Sequence, residues 1–306
     1  MMKNGLITQL TSLTLMALAT IAHAEDIKIG ADGLNGEYTN TIVPAISEAM
    51  KEYGYTVIAE MSAGSQENID NVMSGKLPAG LSQLDVAALN MTTENDEPNS
   101  LVVLGGRIAP EALFCAAHKG SGVKTYDDLT DEQQKPLKIS VGGEKSGTAQ
   151  TFQYLMKLDP ELKNIKLYYN THLKVELNRL LSDRRDLVCF IMMPNPENEL
   201  IELVMEHDEL FFITINHPEF ANATVGKTRI YDIMEVPVTS GFFGFNQTTV
   251  KTLVTWVGVV INEKQVDDKL LDALATVVMK PELLPSNSLA AKAEQVFDDF
   301  KEKITD

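Results

Sequence analysis

The chain is poor in the groups on which much protein chemistry depends. It has two cysteines and five histidines in 306 residues, and nowhere do they fall at the spacing of a zinc site. Beyond the first two dozen residues no apolar run approaches the ~20 residues that span a bilayer. Basic residues are outnumbered, with 26 Lys and Arg against 43 Asp and Glu, for a formal charge of −17. That balance argues against nucleic acid and anionic lipid surfaces as partners. It leaves room for an anionic ligand, because a pocket answers to its local donors. There is no low-complexity linker and no internal repeat longer than a turn motif. Two domains without a linker imply a chain that crosses between them more than once.

What is present starts with an apolar fraction of 44%, enough for a substantial core. Lys3, the mainly apolar stretch 10–21 (LTSLTLMALATI) and Ala22-His23-Ala24 read as a signal peptide over residues 1–24, cleaved before Glu25. The expected product is exported to the periplasm and is not membrane-embedded. Export permits a disulfide. Cys115 and Cys189, however, each sit in an apolar strand-like run (LFCAA and DLVCFIM), which reads as two separate buried thiols and leaves the pairing open.

The organising feature is a repeated strand, small-residue turn and helix. In 138–157 (KISVGGEKSGTAQTFQYLMK) a β-branched run breaks at Gly142-Gly143 and resumes after Ser146-Gly147-Thr148 as a helix. Such a turn is a helix N-terminus, with unpartnered N–H groups and the positive end of the dipole. Taken alone it is an ordinary capped turn. The same arrangement follows Gly30, with Gly33, Asn35 and Gly36, and follows Met61, with Ser62-Ala63-Gly64-Ser65. Three such turns at the carboxyl ends of strands point to a shared cleft.

The remaining elements alternate. Helices are expected after Thr39, ended by Gly54, and around Ile69, ended by Gly75. Strands are expected at 55–61, 101–104, 112–117, 164–169, 186–193, 210–215 and 254–261. Further helices are expected at 172–181, 200–205, 267–279 and 290–300. Gly105-Gly106-Arg107 reads as a turn between two strands. The alternation means α/β with mainly parallel sheets. The best crossing points are 111–118 and the stretch before Val254.

These residues carry a resemblance. The opening IKIGADGLNGEYTNTIVPAISEAM, the turn Ala63-Gly64-Ser65-Gln66-Glu67-Asn68, the segment from Gly80 through Gln83 and Asp85, and the turn ending Ser146-Gly147-Thr148 resemble, in that order, the TAXI family of substrate-binding proteins. The likeness extends more faintly to 257–270. The first loop departs from that family by carrying Asp32 and Glu37 and a single aromatic, Tyr38. Arg107 stands where an apolar or aromatic residue is expected, and Met192-Met193-Pro194-Asn195 replaces a more glycine-containing segment.

The resemblance implies a two-lobed type II periplasmic-binding-protein fold, each lobe a mainly parallel sheet flanked by helices, joined by a two-strand hinge. Lobe 1 is expected over 25–113 plus 254–306 and lobe 2 over 114–253. It implies an exported monomeric receptor that delivers a small anionic or zwitterionic solute, of the glutamate, 2-oxo or dicarboxylic acid class, to TRAP transporter membrane subunits. No cofactor or metal is expected.

The expected ligand-binding residues are Asn35, Tyr38, Gly64, Ser65, Asn68, Gln83, Arg107, Ser146, Gly147, Thr148, Pro194 and Asn195. Arg107 would neutralise a carboxylate bidentately, with a surface ion pair as the competing role. Asp85, followed by apolar residues, reads as structural. An exported ligand sensor would look the same in its lobes. A hydrolase is disfavoured, because Ser65 and Ser146 lack a Gly-x-Ser-x-Gly frame and no histidine stands near a partner. The P-loop-like Gly142-x4-Gly147-Thr148 has no lysine after its second glycine.

Overall fold

The computed structural model describes residues 24–91, 98–131, 136–225, 228–240, 247–280 and 283–284. The signal peptide expected over 1–24, all but its last residue, and the helix expected at 290–300 lie outside the described residues.

The chain begins with β1 (Glu25–Gly30), which turns Ile27 and Ile29 inward and Asp26 and Lys28 outward, the period of a strand. A π-helical turn over Tyr38–Ile42 leads into α1 (Val43–Met50). Gly54, at φ 81°, takes the left-handed conformation that ends this helical segment. Next come β2 (Tyr55–Glu60), α2 (Ser65–Met73), β3 (Ala79–Gln83) and α3 (Leu84–Asn90). The long β4 (Leu101–His118) follows, then α4 (Asp127–Thr130), β5 (Leu137–Ser140), α5 (Gly147–Leu158) and β6 (Ile165–Tyr168). After these come α6 (Leu173–Leu181), β7 (Leu187–Met192), α7 (Glu199–Glu206), β8 (Leu210–Phe212) and α8 (Pro218–Ala221). A small ribbon of β9 (Thr224–Val225) and β10 (Thr228–Arg229) precedes β11 (Asp232–Pro237), β12 (Thr249–Asn262) and α9 (Asp268–Val278).

The strands run in the order β2-β1-β3-β12-β4-β7-β5-β6, with β11 on β12 and β8 on β4. Pairing is parallel within β2-β1-β3 and within β7-β5-β6, and antiparallel wherever β4 or β12 takes part. These two central strands feed two cores. Ile108, Ala109, Val257 and Val259 pack with Ile29, Ile42, Ile46, Leu81 and Leu274. Leu113, Cys115, Leu253 and Trp256 pack with Ile139, Phe152, Leu155 and Tyr231. Two cores on two parallel half-sheets, joined by a pair of long antiparallel strands, make the two-lobed type II periplasmic-binding-protein fold.

Three expectations are corrected. The turn at Gly105-Gly106-Arg107 is a bulge inside one continuous strand: β4 pairs with β12 on both sides of it, with a register shift opposite Val257–Val259. Gly105, at φ 55°, takes up the irregularity, and a Cβ there would lie 2.4 Å from the Val278 carbonyl oxygen. A glycine pair inside a strand pattern thus marks a bulge as readily as a break. β12 begins five residues earlier than the expected 254, because its first residues, Thr249–Leu253, pair with β11. Finally, Cys115 and Cys189 form a disulfide. They face each other directly across β4 and β7, with Cα atoms 4.1 Å apart, the close approach of opposed residues on antiparallel strands.

Candidate functional site

Two of the expected turns meet. In α5, Ser146 is the N-cap, its Oγ accepting from the Ala149 N–H at 3.2 Å while donating to the Val141 carbonyl at 3.2 Å. The N–H groups of Gly147 and Thr148 lie in the first turn, where the helix itself offers no acceptor. In α2 the N-cap is Gly64, held at φ 122°, and the Glu67 carboxylate accepts from the Ala63 N–H at 2.8 Å. A Cβ on Gly64 would lie 3.5 Å from the Gly147 nitrogen and 3.5 Å from the Ser146 Cα. The positive ends of two helices therefore oppose each other at close range. Beside them Lys145 donates to Asp70 of α2 at 2.6 Å, tying the second turn to the first helix.

Next to this contact lies an acidic cluster. Gln83, at the end of β3, donates through Nε2 to Glu111 at 2.7 Å, and its backbone N–H donates to Ser65 Oγ at 3.2 Å. The Tyr38 hydroxyl donates to the same Glu111 oxygen at 3.1 Å. Glu37 accepts from the Met193 N–H at 3.0 Å, reaching from the first loop to the residue after β7. Asp32 accepts from the Tyr38 and Thr39 N–H groups at 3.0 and 2.9 Å, capping the helical turn. Glu111 and Thr255 are opposed in register, as are Gln83 and Val257, so Glu111, Thr255 and Gln83 share one sheet face. Burial, reinforced by the charge of Glu37, pushes the Glu111 carboxyl up to about 8. Burial pushes Glu37 up to about 7 against the opposing Met193 hydrogen bond, with Asp32 adding to the rise. Tyr38 is held well above its usual range by burial and then by the charge of Glu111.

Of the expected residues, Tyr38, Gly64, Ser65, Gln83, Ser146 and Gly147 come together here. Pro194 is buried directly after Met193. Others have structural partners. Thr148 accepts from the Ile191 N–H at 2.9 Å, fixing α5 to β7. Asn68 donates to the Ala31 and Leu81 carbonyls at 2.6 and 2.8 Å, bracketing the ends of β1 and β3. Asn195 closes its own turn by accepting from the Glu197 N–H at 3.1 Å. Asn35 is exposed on the first loop.

Arg107 goes elsewhere. It pairs with Asp232 at 3.3 Å and lies over the Trp256 ring, 4.7 Å from its centroid. These contacts favour the competing ion-pair role. Asp85 has the structural role expected of it. It is fully buried and accepts from Thr151 and, at 2.7 Å, from the Tyr231 hydroxyl.

The acids Glu37 and Glu111 were absent from the expected set. The available signal was chemical: Glu111 is the lone charge in the run from Ile108 to Ala117, and a buried charge needs a reason.

Among solved structures the chain is similar to an arginine transport-system periplasmic binding protein from Legionella pneumophila (10% identity, 89% of this chain and 99% of that one, TM-score 0.48). It is also similar to lactococcal OpuAC in its closed form with glycine betaine (13% identity, 92% and 98%, TM-score 0.47). A third is the periplasmic binding protein BugD (14% identity, 92% and 97%, TM-score 0.46). No curated protein matches the sequence. The sequence itself matches a family description from residue 34 to residue 282, a span that includes both opposed turns and both central strands, and the chain belongs to the NMT1-like family.

Proposed function

We propose that this chain is an exported periplasmic receptor that closes its two lobes on a small carboxylate-bearing solute and hands it to a TRAP-type membrane transporter. The lobes are taken as 25–113 plus 254–306 and 114–253. The observation that carries this reading is the opposition of the α2 and α5 N-termini at Gly64 and Gly147. Each presents N–H groups that its own helix leaves unpartnered, and a carboxylate between two such ends would satisfy both. The ligand would be read by backbone donors with Ser65 and Ser146 nearby, rather than by a guanidinium, since Arg107 is engaged with Asp232. The transporter partner and the glutamate, 2-oxo or dicarboxylic acid class rest on the resemblance of the turns to the TAXI family. Hinge bending at β4 and β12 would open and close the cleft. No catalytic step is assigned to the chain.

A thermal-shift screen over amino acids, dicarboxylates, 2-oxo acids, phosphate and sugars tests the reading, because a ligand selective for the native state raises its melting temperature. The expected result is a rise with one or more carboxylates. A response confined to phosphate or sugars, or no response at all, overturns the ligand class.

A further inference from the structure

The acidic cluster beside the opposed turns has acceptors in excess of donors. One Glu111 oxygen takes hydrogen bonds from both Tyr38 and Gln83, and Glu37 takes one from the Met193 backbone. Among the described residues no Lys, Arg or His side chain forms an ion pair with Glu37 or Glu111. Independently of the acids, the Gln83 amide oxygen is buried without a hydrogen-bond partner among the described residues, on a residue only 3% exposed. Thr255 Oγ1, on the residue opposite Glu111 in register, is also buried and has no partner among the described residues. Glu111, the orphaned Gln83 carbonyl oxygen and the Thr255 hydroxyl therefore share one sheet face, with the Glu37 charge near enough to act on Glu111, and acceptors there outnumber donors.

We propose that Glu37, Glu111 and the Gln83 carbonyl form the seat of a protonated amine, so that the solute carries an ammonium group next to its carboxylate. An ammonium brings three N–H donors and one positive charge, which is the complement of this set. The raised ionisation of both acids has the same origin, since burial without a cation leaves each favouring its neutral form. Gln83 also fixes where the amine lies relative to the carboxylate. Its Oε1 would be 2.1 Å from a Cβ on Gly147, so the orphaned acceptor adjoins the α5 N-terminus. Adjacent ammonium and carboxylate groups describe an α-amino acid or a compound built like one. A plain dicarboxylate or 2-oxo acid would set a second negative charge or a carbonyl dipole against the acids.

This inference rests on the receptor reading, and the experiment separates the two. Calorimetric titration of the purified chain would compare L-amino acids with their 2-oxo counterparts, L-glutamate with 2-oxoglutarate first, and with putrescine as an amine lacking a carboxylate. The amino member should bind tighter than its oxo partner by roughly tenfold or more, the scale of a hydrogen bond between charged groups. Glu37→Gln and Glu111→Gln should each bring that ratio toward one by weakening the amino member, with circular dichroism establishing that each variant is folded. Should Glu111→Gln fail to fold, Glu37→Gln on the first loop decides the matter. Equal or tighter binding of the oxo acid by the unaltered chain overturns the ammonium seat and keeps the receptor. Putrescine binding without any carboxylate binding keeps the seat and overturns the carboxylate half. Binding of neither class overturns both.

Discussion

Gly64 and Gly147 stand back to back across the contact between the two turns, with no room for more than a hydrogen atom on Gly147. A Cβ there would overlap the Gln83 amide, 2.1 Å from Oε1 and 2.6 Å from Cδ. That amide is not free to swing aside, because its Nε2 is held by the buried Glu111.

Gly147→Ala should therefore act on closure more than on folding. Gly147 opens α5, where alanine is well tolerated in the separate lobe. Overpacking of this kind costs about 1–3 kcal/mol, and the chain would avoid it by parting the turns. The expected outcome is a loss of ligand affinity of about tenfold or more, with a much smaller change in the melting temperature of the unliganded protein. Calorimetry and thermal unfolding on the same sample check it.

The acids predict a pH dependence with a definite sign. Glu111 goes from 4.5 to about 8 and Glu37 from 4.5 to about 7 on folding, so the folded chain binds their protons more tightly than the unfolded chain. Their contribution to stability is fully present below about 4.5 and is lost as pH rises through 7 and 8. Unfolding in urea at pH 5 and pH 8 should give Glu111→Gln an advantage over the unaltered chain that grows with pH, on the order of 2–4 kcal/mol at the upper end. A bound ammonium would displace those protons, so affinity for an amine-bearing ligand should rise over the same interval.

Arg107→Ala should leave ligand affinity within about twofold, because its partners are Asp232 and the Trp256 ring. The half-exposed ion pair and the ring contact together should cost less than about 1 kcal/mol of stability. A marked loss of affinity in a titration would return Arg107 to the ligand.

The Cys115–Cys189 bond closes a sequence separation of 74 residues between fully buried positions of β4 and β7. Cys115→Ala with Cys189→Ala should destabilise the chain by about 2–4 kcal/mol, mainly by freeing the unfolded state. Denaturant unfolding with and without reductant should give the unaltered chain a matching loss under reducing conditions and leave the double variant unchanged.

The α/β order was legible because each strand, turn and helix is local. The hydrophobic period changes from two to near four within a few residues, and Gly54 and Gly75 stop their helices in the left-handed conformation. What failed depended on distant partners. Gly105-Gly106 reads as a break unless β12 is known to run alongside and carry the ladder past it. The disulfide depends on β4 lying next to β7, which the spacing of two cysteines does not encode. For Arg107 the ligand contact and the ion pair stay equally open in the sequence, because Asp232, with which it pairs, is 125 residues away. The site was half legible for the same reason. Helix N-termini announce themselves through Gly and Ser at the turn, whereas Glu37 and Glu111 gain their character only from the burial and proximity that folding supplies.

The proposed receptor would hold its carboxylate where α2 and α5 oppose their N-termini. The most direct measurement is calorimetric titration of a panel of amino acids, 2-oxo acids and dicarboxylates into the unaltered chain and into Gly147→Ala. Saturable binding of at least one carboxylate is expected in the unaltered chain, weakened by about tenfold or more in the variant. Carboxylate binding that Gly147→Ala leaves untouched, or no carboxylate binding at all, would contradict that placement.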